Sequence, residues 1–139
     1  MSEFGLFHLS KIGRFFLTLT MPRIRVAYYI KEDGSIPVKD FINSLEMKMR
    51  AKVRWTILLF QETGNELRSP YSEYLKDGIY ELRAKQGSNI TRVLYFFVIG
   101  NTAILTNGFT KKTQKTPVRE IELAKKYRED YMKRSLGGE

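Results

Sequence analysis

The sequence predicts an α+β fold: a small antiparallel sheet whose central meander covers about residues 79–110, with two N-terminal helices on one face and a C-terminal helix. Three observations carry this. Ile90 to Ile99 is a dense run of β-branched and aromatic residues between two turn signals, residues 37–64 repeat apolar side chains at helical spacing, and Thr116-Pro117 opens a last helix.

The first twenty residues are apolar, with Phe4, Leu6, Phe7, Leu9, Ile12, Phe15, Phe16, Leu17 and Leu19 among them. Glu3 precedes the basic residues, Lys11 and Arg14 interrupt the run and no small-residue cleavage site follows, which argues against a secretory signal. Residues 1–20 are expected to be an extension outside the fold, with Met21 as a candidate functional start. The domain is placed at 21–135, and 136–139 is a fraying tail.

Ile24 to Ile30 reads as a first strand. Glu32-Asp33-Gly34-Ser35 is a turn, and Pro37 suits the first position of a helix running through Phe41, Ile42 and Leu45. Met49, Val53, Ile57 and Phe60 mark a second helix that ends at Gly64, and its Lys48, Arg50, Lys52 and Arg54 read mainly as a solvated face. Arg68 to Ser72 is assigned to a loop.

The meander follows from its turns. Gln86-Gly87-Ser88-Asn89 joins Ile79–Lys85 to the Ile90 strand, and Gly100-Asn101 joins that strand to Thr102–Thr110. With these loops Arg83 lies opposite Arg92, and Arg92 opposite Phe109. Alternation then places Glu81, Lys85 and Lys111 on the same face, while Tyr80, Leu82, Val93, Tyr95, Phe97 and Ile104 form a core face. Tyr95 is therefore read as core despite its chemistry. In the last helix Thr116 is the expected N-cap and Pro117 the first helical residue, with Glu120 and Glu122 near the positive end of the dipole. Val118, Ile121, Ala124, Tyr127 and Tyr131 give a narrow apolar stripe.

Two arginines about 5 Å apart across a ladder cost roughly a few tenths to 1 kcal/mol, so the row needs a reason. Neutralisation by Glu81 is one; an external phosphate is the preferred one, because Lys85, Lys111, Lys112 and Lys115 add more charge than one carboxylate offsets. The whole chain agrees, with 24 Lys and Arg against 15 Asp and Glu and a formal charge of +9. From Lys111 to Arg134 nine cations face four anions, so this stretch carries more than half of the excess. This is the footprint of a polyanion binder, without distinguishing RNA from DNA or a membrane surface.

At 139 residues one domain is expected. The lack of cysteine excludes disulfides, thiolate metal sites and a cysteine nucleophile, and fits a cytoplasmic setting. No apolar run is long enough to span a bilayer.

The order strand, helix, helix, meander, helix, together with Tyr80-Glu81-Leu82-Arg83, Arg92-Val93-Leu94-Tyr95 and Gly108-Phe109-Thr110-Lys111-Lys112-Thr113-Gln114-Lys115-Thr116-Pro117, resembles the RelE/HigB family of bacterial toxins, especially its phage-derived Gp49-like branch. The resemblance spans about Pro22 to Arg134. It implies a RelE-like fold, ribosome-dependent mRNA cleavage, and silencing by a cognate antitoxin of the helix-turn-helix, HigA-like kind. It places the family's arginines on Arg83 and Arg92 and its basic pair on Lys111 and Lys112. One departure stands out. Some relatives transfer protons through histidine, but the single histidine here is His8, in the extension.

Cleavage by attack of a ribose 2′-oxygen on the adjacent phosphate needs a base, cations for the transition state and an acid for the leaving 5′-oxygen, and it can be written without metal or cofactor. Arg83 and Arg92 suit the cation role because guanidinium forks match phosphate oxygens. Glu81 or a lysine is the candidate base, and Lys112 or Lys111 the candidate acid. Lys85, Lys115 and Arg119 are candidate RNA contacts. Phe109 is either a stacking platform for a base or part of a small core under the last helix. Two other functions remain open: a ParE-like toxin acting on DNA gyrase through protein contacts, and a non-catalytic RNA-binding module.

Overall fold

The computed structural model describes residues 23–67 and 69–137. The expectations for the extension at 1–20, for Met21 as a start, for Arg68 in its loop and for Gly138-Glu139 lie outside those residues.

The chain runs through β1 (Arg25–Tyr28), α1 (Pro37–Ser44), α2 (Met47–Thr63), a 3-10 turn at Gly64–Glu66, β2 (Ser72–Lys76), β3 (Ile79–Gln86), β4 (Asn89–Val98), β5 (Thr102–Lys111) and α3 (Val118–Gly137). Pro37 opens α1 as expected, and the Glu46 carboxylate caps α2 by accepting from the Lys48 amide at 2.9 Å. The sheet has five strands in the order β1-β5-β4-β3-β2. It is mixed rather than antiparallel, because β1 pairs parallel with β5 after the chain has crossed over through the two helices. The further strand is β2, which includes Ser72 from the expected loop. As an edge strand with charge at two of its five positions, it carries little of the apolar signal that marks a buried strand.

Both faces of the sheet are covered. Against α1 and α2 pack Leu82, Val93, Tyr95 and Leu105 with Val38, Ile42, Val53 and Phe60. Against α3 pack Ile79, Leu94, Phe96, Ile104 and Phe109 with Ile121 and Ala124. Tyr95 is core, its hydroxyl 3.0 Å from that of Ser72. Ile104 belongs to the α3 face, not to the face expected. The β4–β5 hairpin turns through Ile99-Gly100-Asn101, one residue longer than expected, and a bulge between the pairs Leu94↔Asn107 and Tyr95↔Leu105 restores the register at Thr106. Side chains of β5 on the turn side of that bulge are therefore flipped, and those beyond it are not.

On α3, Ile121 and Ala124 are buried, and Tyr127 and Tyr131 pack against Tyr29 and Phe96. Val118 departs from the stripe and is exposed, at the first turn. The Pro117 carbonyl accepts from the amides of Glu120 and Ile121 at 3.1 and 3.4 Å, so the helix starts one residue later than expected. Thr116 does not cap it with its hydroxyl, which turns to Glu81 instead. The helix continues through Leu136 and Gly137, two residues beyond the expected domain limit.

Candidate functional site

The cross-strand row forms: Arg83 pairs with Arg92, and Arg92 with Phe109. It is not an open cation face. Arg92 is completely buried and Glu81 is only 2% exposed, because the segment from Lys111 to Thr116 folds back over them into α3. The Arg92 guanidinium donates to the carbonyls of Ile90 at 3.2 Å, Lys111 at 3.4 Å and Thr113, and lies 5.3 Å from the centre of the Phe109 ring. Its Nε is buried without a partner. Glu81 accepts the Thr116 hydroxyl at 2.5 Å and faces Arg83 Nε at 3.5 Å.

Burial pushes the Glu81 carboxyl above its ordinary pKa, against the Thr116 hydroxyl bond and the charges of Arg83 and Arg92. Burial, then the neighbouring Arg83, lowers Arg92 below the ordinary arginine value, against the attraction of Glu81. The pair of like charges is thus held by one buried carboxylate and a ring of carbonyls. This geometry bears on three of the expected roles. Arg92 is fully buried with three main-chain carbonyls on its guanidinium and presents no surface to a phosphate; Glu81 has no open approach for a 2′-hydroxyl; and Phe109 is core under α3, not an exposed stacking platform.

Arg83 differs. It is half-buried, and its outer nitrogen donates to the side-chain oxygen of Gln114 at 2.8 Å and to that residue's carbonyl at 3.2 Å. It stands on the margin of a cleft of about 350 Å³ between α2 and β3, where Lys52, Tyr71, Lys85 and Gln114 also meet. Lys85, Lys112, Lys115 and Arg119 are exposed, and Lys111 is half-buried with its carbonyl engaged by Arg92. Arg119 lies 4.0 Å from Glu120, so its charge is partly met within its own helix.

The structure therefore brings Arg83 and Lys85 together and sets Lys112 and Lys115 on the adjoining loop, while Arg92, Glu81 and Phe109 form the support beneath. Sequence reasoning missed Lys52 and Tyr71 at the cleft. Lys52 precedes the buried Val53 and so flanks the apolar stripe of α2, a placement visible in the helical spacing; Tyr71 follows Pro70 in a loop and carries no such signal. Among the described residues no three His, Cys, Asp or Glu side chains group as metal ligands, and no helix is long and apolar enough to cross a membrane.

A five-stranded mixed sheet with helices on both faces and a basic margin is an α+β architecture compatible with the RelE-like fold. A model of the phage-derived Gp49-like protein family (DUF891) matches residues 40–129, and the chain belongs to that family, which lies within the RelE/ParE toxin superfamily. The match contains the whole row, the covering loop and both missed residues. It is a toxin-type family, which implies an antitoxin partner. No curated protein matches the chain.

Proposed function

We propose that this protein is a ribosome-dependent mRNA endoribonuclease, the toxin of a toxin–antitoxin pair, acting in the cytoplasm and silenced by a helix-turn-helix, HigA-like antitoxin. The observation that carries the reading is Arg83: a guanidinium braced from behind by a buried carboxylate, its outer edge met only by the exposed Gln114, at the mouth of a cleft rimmed by cations. Such a group suits the non-bridging oxygens of a phosphate as charge builds during 2′-oxygen attack. The bond from the 2′-oxygen to phosphorus forms as the bond to the 5′-oxygen breaks; the 2′-hydroxyl proton passes to a solvent water, and Lys112, or Lys111 beside it, supplies a proton to the leaving 5′-oxygen. With Glu81 out of reach, positioning of the RNA by the ribosome carries much of the acceleration. Arg92 and Glu81 act here as positioning residues, fixing Arg83 and the loop that bears the two lysines.

Translation extracts programmed with a defined mRNA test this. Wild type is expected to cut the message on ribosomes and to leave free RNA largely intact, and Arg83→Ala is expected to cut about 100-fold more slowly. Absence of cutting by wild type would overturn the proposal. The burial of Arg92 also favours a second reading, the gyrase-directed one, in which the arginine cluster is purely structural. Inhibition of gyrase supercoiling by wild type, without mRNA cleavage, would select it.

A further inference from the structure

We infer that the cleft between α2 and β3 receives one unstacked base of single-stranded RNA, with Tyr71 as the stacking face and Lys52 and Lys85 on the flanking phosphates. The inference rests on the nuclease reading for its substrate class, and it adds a recognition site separate from the reacting phosphate. Ala84 and Ile90 contribute apolar lining, and the volume of about 350 Å³ is in the range of small-ligand clefts. Tyr71 is half-buried and braced edge-on by Trp55, with ring centres 5.9 Å apart. Its carbonyl accepts the Arg83 amide at 2.9 Å, which ties this ring to the strand that carries the phosphate-binding arginine. Among the described residues the charged ones on the cleft wall are Lys52, Arg83 and Lys85, with no carboxylate. A flat aromatic surface beside three cations is the combination that single-stranded nucleic acids engage, bases on the ring and phosphates on the charges. Gln114, at the same wall, offers an amide that can meet a base edge, so the site can discriminate as well as hold.

Trp55 is the single tryptophan of the chain, so occupation of the cleft reads out directly as a change in its fluorescence. The probe is a short 2′-O-methyl oligoribonucleotide, whose blocked 2′-oxygen separates binding from cleavage. Wild type is expected to give a saturable change, Tyr71→Ala to bind about tenfold more weakly, and Tyr71→Phe to bind like wild type. An oligonucleotide of the same length with abasic residues should lose the same factor against wild type and nothing further against Tyr71→Ala. Equal binding by wild type and Tyr71→Ala, or by the abasic strand, would overturn the inference. So would saturable binding of a poly-glutamate peptide in place of the oligonucleotide, which would assign the cleft to an acidic protein segment. The two proposals fail separately: Tyr71-dependent binding without mRNA cleavage on ribosomes sinks only the nuclease reading, and cleavage indifferent to Tyr71 and Lys52 sinks only the base site.

Discussion

Arg83 and Arg92 face one another across β3 and β4, and burial separates what each does. Arg92→Ala removes the donors that hold three carbonyls and withdraws charge from the buried Glu81, so urea unfolding is expected to show a loss of about 3 kcal/mol. Arg83→Ala is expected to cost only about 1 kcal/mol, because its charge is partly solvated, while removing most of the activity. Equal stability losses would mean that burial does not divide their roles. Glu81 gives a pH prediction. Its folded pKa is raised above the ordinary 4.5, so its contribution is complete below that value and is lost as pH rises through the folded one. Measured against Glu81→Gln, wild type should therefore gain stability on acidification from neutrality, in the window above 4.5. Asp77 and Asp130 behave oppositely: hydrogen bonds from Lys125 and Tyr29 respectively depress them, and their contributions fade only at lower pH. Gln114→Ala should free the outer edge of Arg83 but remove the amide that meets a base edge, so oligonucleotides of different base sequence should bind with more equal affinity than they do to wild type. The row itself was legible because local turns set strand register. Its burial was not, since that depends on the loop after β5 folding back, which no periodicity in residues 111–116 announces.

Among the elements, β5 is the most constrained. Gly108 faces α1, and a Cβ there would meet two Phe41 ring carbons at 2.5 and 2.6 Å and the Arg92 carbonyl at 2.9 Å. Gly108→Ala is expected to cost about 2 kcal/mol in thermal unfolding, partly rescued by Phe41→Leu. No loss would mean that the ring moves aside freely. The α1 and α2 boundaries were readable from Pro37, Gly64 and the apolar spacing between them. β2 was not, because an edge strand that exposes Tyr74 and Lys76 resembles a loop in composition. α3 sits where it does through contacts no local signal encodes: Lys125 and Arg128 reach Asp77 in the β2–β3 turn, at 2.7 Å to its carboxylate and 2.5 Å to its carbonyl, and the Tyr29 hydroxyl donates to Asp130 at 2.6 Å. Burial and that carboxylate push the Tyr29 hydroxyl up to about 12.

Over the whole molecule the charge of +9 acts as a field, while the affinity it produces is local. If Lys52, Arg83 and Lys85 each meet one phosphate, oligonucleotide affinity should fall with log salt at a slope of about −2, because single strands release roughly 0.7 counterion per contact. A slope near zero would remove phosphates from the cleft. The net charge was readable by counting, but its division was not: α3 carries six cations against four anions, and of those cations Lys125 is spent on Asp77 and Arg134 on Asp130. The three-residue turn after β4 and the bulge at Thr106 each absorb one extra residue without disturbing the pairs on either side. Removal of Ile99 should therefore only shorten the turn, and removal of Thr106 should only straighten β5, with Arg92 left opposite Phe109 in both; this makes the hairpin end a place where length can vary without cost to the row.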